Sequence, residues 1–224
     1  MASEELRLFD KADYTRRLAS YRAEFAGHNG QRAIGEATPS YMMPNLNPHA
    51  MATRIRATLP RVKLIALLRN PVDRSLSAMH HHINKGRLAP GTRLLDYVQE
   101  VDPRDDPLQL IAGSWYATSL KPYIEIFGLD RLLVLRQDEA LTSPQDVYAR
   151  TLRFLELDPT FAPSSLARVR FSNQSKLRQW RRLLTHDDLS AAERDSLFDY
   201  FADDVAELET LLGLELTSWR PPPC

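Results

Sequence analysis

The chain has 224 residues, of which 43% are hydrophobic and 26% are charged, a composition typical of a globular domain and not of a disordered or fibrous chain. Its 29 basic and 29 acidic side chains leave no net charge, which argues against a general nucleic-acid binder. The one cysteine is Cys224, so the sequence has no disulfide framework and no cysteine-rich metal motif. No apolar run reaches the roughly 18 residues of a membrane span. We therefore expect a cytoplasmic chain, one domain over residues 1–224, with no bound metal and no membrane segment.

Helical and strand patterns alternate along the chain. In order, they predict a helix over 13–25, a strand over 62–68, helices over 72–84 and 116–127, a strand over 132–135, and helices over 143–155 and 189–212. Asn70 and Pro71 are typical residues for the start of the second helix. This alternation predicts an α/β fold in which helices flank a mostly parallel sheet.

The stretch LLRNPVDRSLSAMHHH begins where the first predicted strand ends. Ligands of parallel sheets bind at the carboxyl edge of the strands, beside helix N-termini that favour anions. Arg69 offers a planar fork of donors and Ser77, two turns into the helix, offers a hydroxyl, so both could bind one phosphate. The alternative is that Arg69 pairs with a local carboxylate such as Asp73, and the arginine motif alone favours it. His81 lies on the same helix face as Ser77.

The charges are unevenly distributed near the C-terminus. Between Asp158 and Asp187 the sequence has no acidic residue but six arginines and lysines, whereas from Asp187 to Glu209 acidic residues dominate. The basic interval is a candidate anion site, and the alternative is that both runs are solvated helix faces.

Several ordered motifs resemble one known family. The string LIALLRNPVDRSLSAMHHH is similar to the 3′-phosphate-binding motif of sulfotransferases that use 3′-phosphoadenosine 5′-phosphosulfate (PAPS). Upstream, ELRLFDKADYTRRLASYRAEF followed by IGEATPSYMM is similar to the segment after the donor-binding loop in the heparan-sulfate type of sulfotransferase and its bacterial relatives. Downstream, FGLDRLLVLRQDEAL, FLELDP and GLELTSW follow in the same order as in that type, so the resemblance runs from about Glu5 to Trp219.

The resemblance implies roles for individual residues. Arg69 and Ser77 would bind the 3′-phosphate of the donor, and Glu36 of GEATPSY would be the general base, which takes the proton of the attacking hydroxyl or amine. From the residues alone, Glu36 could equally be a surface carboxylate that caps the turn at 38–41.

The basic interval matches the position of an anion-binding loop in the family, which closes over the nucleotide. The candidate nucleotide-binding residues there are Asn173, Ser175, Lys176 and Arg178.

The sequence departs from the family pattern at two places. Position 37 is Ala where many animal members have Lys, and no segment resembles the Lys-x-Gly-Thr-Thr loop that holds the 5′-phosphosulfate. We therefore expect a sulfotransferase-like fold that lacks its first strand and loop.

The resemblance implies transfer of a sulfuryl group from PAPS to a hydroxyl or amine, expected on a carbohydrate or another small acceptor, with adenosine 3′,5′-bisphosphate as the second product. An alternative of a different class is a non-catalytic nucleotide-binding or scaffold protein that keeps only the 3′-phosphate site. A relative of the P-loop kinases is disfavoured, because the Gly-Lys-Ser/Thr loop is missing. The sequence identifies neither the acceptor nor the oligomeric state.

Overall fold

The computed structural model describes residues 5–163, 166 and 189–220. The helices are α1 (Leu18–Ala23), α2 (Pro48–Thr58), α3 (Pro71–Asn84), α4 (Leu94–Glu100), α5 (Tyr116–Phe127), α6 (Gln137–Thr142), α7 (Pro144–Phe154), α8 (Ala191–Phe198) and α9 (Ala202–Leu212). The strands are β1 (Leu64–Leu68) and β2 (Leu132–Arg136). Short 3₁₀ turns cover Tyr14–Arg17, Pro39–Met42, Pro44–Leu46, Pro103–Asp105, Ala112–Ser114, Leu129–Arg131 and Thr217–Trp219.

The two strands pair in parallel. Leu64 lies opposite Leu132, and Leu68 lies opposite Arg136. Between them the chain runs through α3, α4 and α5, and a crossover of this length is what parallel pairing requires. The predicted α/β fold with helices and a parallel sheet is confirmed.

One face of β1 is buried and the other is exposed. Ala66 and Leu68 are buried, whereas Ile65 and Leu67 are 43% and 57% exposed. Because side chains alternate between the faces of a strand, the exposed pair shares one face. The sequence predicted a buried strand. That prediction is wrong for this face, which the described residues leave largely uncovered.

Most predicted elements match the structure to within two residues. The first helix differs, because its start is the 3₁₀ turn Tyr14–Arg17 and α1 ends at Ala23. The side chain of Asp13 does not cap this turn but pairs with Arg17, at 2.9 Å between Oδ1 and Nε. Without a cap, the chain enters α1 through the tighter 3₁₀ turn.

The predicted helix over 189–212 is two helices, α8 and α9, separated by a turn at 199–201. The main-chain oxygen of Tyr200 accepts a hydrogen bond from the indole N–H of Trp115, at 3.1 Å. The carboxylate of Asp204 accepts two N–H groups of the first turn of α5, at 2.9 and 3.0 Å. These contacts with the start of α5 outweigh the helical periodicity, which was the basis of the prediction.

The core draws its largest buried side chains from segments that are far apart in sequence. Phe9, Met79, Leu110, Leu120 and Phe201 are all at most 1% exposed. They belong to the N-terminal segment, α3, the loop before α5, α5 itself and the turn before α9. The segments with the candidate site residues therefore share one core. Among the described helices, none is long and apolar enough to cross a membrane.

Candidate active site

Arg69 lies at the carboxyl end of β1, one residue before the N-cap of α3. That cap is Asn70, whose Oδ1 accepts the main-chain N–H of Val72 at 3.0 Å. The Nδ2 of Asn70 donates to the main-chain oxygen of Trp219, also at 3.0 Å. The hydroxyl of Tyr116 donates to the main-chain oxygen of Arg69, at 3.0 Å. These bonds fix the backbone from which the Arg69 side chain projects.

The side chain of Arg69 is partly exposed and makes no hydrogen bond or ion pair within the described part of the chain. Asp73, the partner that the alternative interpretation assigned to it, pairs instead with Arg194, at 2.9 Å between Oδ1 and Nη1. That alternative is wrong. The guanidinium keeps its donors available for an anion.

Ser77 is the serine of α3 whose hydroxyl is available to a ligand. Ser75 is fully buried, donates to the main-chain oxygen of Pro71 at 2.8 Å, and lies 3.1 Å from the hydroxyl of Ser114. Ser77 is exposed, and its hydroxyl has no hydrogen bond to any described residue. His81, one turn further along α3, is exposed as well.

Glu36 is held by three hydroxyl groups. Its Oε1 accepts hydrogen bonds from Tyr21 at 3.0 Å and Tyr41 at 3.3 Å. Its Oε2 accepts one from Thr38, at 2.9 Å. The carboxylate does not cap the turn at 38–41, because its donors are side-chain hydroxyls and not main-chain N–H groups. Glu36 remains partly exposed, so it can reach a bound molecule.

The two phenols beside Glu36 stay protonated at physiological pH. Burial raises the pKa of the Tyr41 phenol to about 12. Burial also raises the pKa of Tyr21 well above its usual value, and the nearby Glu36 carboxylate raises it further. Both side chains are therefore lasting hydrogen-bond donors to Glu36.

Helix α5 contacts the backbone at both parts of the candidate site. Tyr116 holds the main-chain oxygen of Arg69, and Tyr123 donates to the main-chain oxygen of Tyr41 at 2.7 Å. Tyr116 and Tyr123 are seven residues apart, so they lie on one helix face about 10 Å apart along the axis. Helix α5 thus connects the candidate anion site to the segment that holds Glu36.

Arg74 is a partly buried cation that was not identified as a site residue from the sequence. Its guanidinium donates to the main-chain oxygens of Gln109 and Leu110 and contacts the sulfur of Met43 at 3.7 Å. Burial lowers the pKa of Arg74. It connects α3 to the loop before α5 and to the segment that follows Glu36. The sequence signal that could have identified Arg74 was its position three residues before Ser77, which places both residues on the same face of α3.

Tyr21 and Tyr41 were also missed as site residues. Tyr41 belongs to the GEATPSY motif that identified Glu36, and this proximity was the available signal. Tyr21 gave no such signal, because its helical spacing with Leu18 and Phe25 is that of an ordinary apolar face.

A cavity of about 120 Å³ lies where both strands end, next to Leu68, Arg136 and Trp219. Pockets that hold drug-sized ligands have volumes of about 300 to 1,000 Å³, so this cavity is too small for a nucleotide. Neither Arg69 nor Ser77 lines it, so the candidate anion site is separate from this cavity.

Four predicted nucleotide-binding residues lie outside the described residues: Asn173, Ser175, Lys176 and Arg178. Within residues 5–163, 166 and 189–220, no group of three or more His, Cys, Asp or Glu side chains could hold a metal ion.

Two curated relatives are enzymes of heparan sulfate. The human heparan sulfate glucosamine 3-O-sulfotransferase 6 is 29% identical over 153 residues, which cover 68% of this chain and 43% of the relative. The bovine bifunctional heparan sulfate N-deacetylase/N-sulfotransferase 2 is 25% identical over 244 aligned positions, which cover 96% of this chain and 26% of the relative. The chain thus spans less than half the length of either relative.

A solved structure has the same fold. The crystal structure of a sulfotransferase from Alicyclobacillus acidocaldarius superposes with a TM-score of 0.67 and 26% identity, over 90% of this chain and 73% of that one. The sulfotransferase domain family matches residues 2–207, which is most of the sequence. The chain therefore belongs to the sulfotransferase domain family.

Proposed function

We propose that this sulfotransferase moves a sulfuryl group from PAPS to a hydroxyl or amine of a carbohydrate. The names of the human and bovine relatives support this acceptor class, because both act on heparan sulfate. The oxygen or nitrogen of the acceptor forms a bond to sulfur as the bond from sulfur to the donor's phosphate oxygen breaks. The acceptor's proton goes to the protein, and adenosine 3′,5′-bisphosphate leaves.

The observation that carries the proposal is the free guanidinium of Arg69. Its backbone is fixed by Tyr116 and Asn70, while its side chain has no acidic partner within the described residues because Asp73 pairs with Arg194. A fixed arginine without a carboxylate partner is suited to bind the 3′-phosphate of the donor through charge-assisted hydrogen bonds. Ser77 would add its hydroxyl.

Glu36 is the proposed general base. It is partly exposed and held in one orientation by three hydroxyl donors. A carboxylate in such a position can take the proton that the acceptor loses as it attacks sulfur. In-line alignment and stabilisation of spreading negative charge supply most of the catalysis of such transfers. We assign part of that charge stabilisation to the basic residues Lys176 and Arg178.

Binding of the product tests the 3′-phosphate assignment. Isothermal titration with adenosine 3′,5′-bisphosphate and with AMP is done on the wild type, on Arg69→Ala and on the control Arg61→Ala. Arg61 is exposed and lies before β1, at the opposite end of the strand from Arg69. Its removal changes the net charge by the same amount. We expect tighter binding of the bisphosphate, and Arg69→Ala should weaken it by about 10- to 100-fold while AMP binding barely changes. Equal affinity for the two nucleotides contradicts the assignment.

Turnover tests the base. Sulfation of heparan sulfate oligosaccharides is measured with radiolabelled PAPS, for the wild type and for Glu36→Gln. The substitution preserves shape and removes the proton acceptor, so turnover should fall by about 10² to 10⁴ with little change in donor binding. A wild-type chain that binds the bisphosphate but transfers no sulfuryl group to any acceptor favours the non-catalytic alternative.

A further inference from the structure

The hydroxyl of Tyr41 donates to Glu36. A phenol has one proton and two lone pairs. Both lone pairs are used, because the hydroxyl accepts the main-chain N–H groups of Leu8 at 2.9 Å and Phe9 at 3.3 Å. Its proton points to Oε1 of Glu36, at 3.3 Å, and the Thr38 hydroxyl that also contacts the phenol donates to Oε2 of the same carboxylate.

Tyr21 donates to the same carboxylate oxygen and packs, like Tyr41, against Phe9. The Phe9 ring is 1% exposed and makes edge contacts with both phenol rings, each with a centroid distance of 5.7 Å. Tyr21 also packs on Phe25, at 5.2 Å between centroids. Packing thus fixes both rings, so both phenol oxygens stay within hydrogen-bond distance of Oε1.

These contacts distinguish the two oxygens of Glu36. A carboxylate has about four lone-pair sites, two on each oxygen. Among the described residues, Oε1 accepts two hydroxyls and has no site left, whereas Oε2 accepts only Thr38 and keeps one site free. Oε2 is therefore the oxygen of Glu36 that can accept a further proton.

We propose that Tyr21 and Tyr41 are positioning residues, which occupy Oε1 of Glu36 and thereby present Oε2 to the attacking group of the acceptor. This inference rests on the proposed function of Glu36 as general base. The phenols do not touch the reacting atoms. They stop the carboxylate from rotating, and a base held near the reactive geometry avoids the entropic loss of finding it.

The test is a double-mutant cycle on turnover. Tyr41→Phe and Tyr21→Phe each remove one hydrogen bond to Glu36, so each should lower kcat by about tenfold and leave the KM for PAPS within twofold. Tyr41→Phe also removes the acceptor of the Leu8 and Phe9 N–H groups, but this loss is the same in both backgrounds of the cycle and cancels. In the Glu36→Gln background, the same substitutions should change the residual kcat by less than twofold, because no base remains to be positioned. A merely structural role would lower kcat equally in both backgrounds, and that result overturns the proposal.

Tyr14→Phe is the matched control. The Tyr14 ring also contacts Phe9, at 6.2 Å between centroids, but its hydroxyl has no hydrogen bond within the described part of the chain. Its kcat should stay within twofold of the wild type. A fall as large as that of Tyr41→Phe would assign the effect to packing around Phe9 and overturn the proposal.

Infrared spectroscopy tests the hydrogen bonds without turnover. In protein labelled with ¹³C-glutamate, the carboxylate band lost in Glu36→Gln belongs to Glu36. This band should shift in Tyr41→Phe and Tyr21→Phe but not in Tyr14→Phe, and an unshifted band overturns the proposal. Wild-type turnover in Glu36→Gln, or no turnover in the wild type, contradicts the proposed function instead, and the infrared band then decides alone whether the phenols hold Glu36.

Discussion

Arg194 of α8 forms an ion pair with Asp73 of α3, at 2.9 Å between Nη1 and Oδ1. Asp73 is the acidic residue closest in sequence to Arg69 and lies in the first turn of α3. The side chain of Asn70 already accepts the N–H groups of Val72 and Asp73 in this turn. An anion bound beside the turn is therefore contacted mainly by side chains. The ion pair thus neutralises a negative charge beside the candidate phosphate site.

Arg194→Ala should therefore weaken phosphate binding. The unpaired Asp73 carboxylate would repel the 3′-phosphate and compete for Arg69. Both members of the pair are partly exposed, and pairs of this kind contribute about 0.2 to 1 kcal/mol. The Kd for adenosine 3′,5′-bisphosphate should rise about two- to fivefold in a titration at low salt, and the difference should shrink at high salt.

Lys121→Ala is the control for net charge. Lys121 pairs with Glu207 on the exposed side of α5, at 2.8 Å between Nζ and Oε1. Its removal changes the net charge by the same amount and should leave the Kd unchanged. If both variants weaken binding equally, the effect is one of net charge, and the role assigned to Arg194 is wrong.

Tyr116→Phe and Tyr123→Phe should separate binding from turnover. Each substitution removes one hydroxyl from the same face of α5, and each lost bond contributes about 1 kcal/mol. The first leaves the main-chain oxygen of Arg69 without its donor, so the Kd for adenosine 3′,5′-bisphosphate should rise about fivefold. The second leaves the oxygen of Tyr41 without its donor, so kcat should fall while this Kd stays constant. The reverse pattern, or identical effects on both quantities, would contradict the separate roles.

The sequence predicted the elements well where local signals define their ends. Asn70 and Pro71 mark the start of α3, and Gly86 follows its end with a φ of 67°, which glycine adopts without strain. The break at 199–201 has no such signal. It depends on contacts of Tyr200 and Asp204 with the start of α5, more than 80 positions away.

The same division applies to the candidate site. Arg69 and Glu36 stand in motifs that can be recognised in one sequence. That Asp73 pairs with a residue 121 positions away could not be predicted, because the pairing depends on how α8 packs against α3. The role of Tyr21 was equally hidden, since a tyrosine on an apolar helix face shows by spacing that it is buried but not where its hydroxyl points.

Gly113→Ala should destabilise the fold. A Cβ at this position would lie 2.5 Å from Nη2 and 2.6 Å from Nη1 of Arg74. The guanidinium cannot move aside without losing its bonds to the main-chain oxygens of Gln109 and Leu110. The free energy of unfolding should fall by about 1 to 3 kcal/mol, measured by urea denaturation.

Two further variants test the cause of this loss. Gly27→Ala introduces the same methyl group where no atom lies within 4 Å, so it should leave stability within about 0.5 kcal/mol of the wild type. In an Arg74→Met background the guanidinium is gone, so Gly113→Ala should be less damaging than in the wild type. An undiminished loss in that background would show that the contact with Arg74 is not its cause.

Asp204 should make stability depend on pH in a direction opposite to that of most carboxylates. Its carboxylate binds the first turn of α5, and Asp204→Ala should lower the free energy of unfolding by about 1 kcal/mol. Asp204→Asn keeps an oxygen acceptor there but cannot ionise. Comparison of this variant with the wild type therefore isolates the charge of Asp204 from its role as a cap.

Burial raises the pKa of the Asp204 carboxyl above its usual value, although the N–H groups of Ala117 and Thr118 act in the opposite direction. The folded state therefore binds the Asp204 proton more readily than the unfolded state. The stability that this protonation contributes is fully present below the usual carboxyl pKa of about 4, and it is lost as pH rises through the pKa of the folded state. Urea denaturation from about pH 4 to pH 7 should show the wild type losing stability relative to Asp204→Asn as pH rises, with no further change at higher pH. Shifts of other carboxylates cancel in this difference. A difference that grows in favour of the wild type with rising pH would show that the bonds to α5 outweigh the burial of the charge.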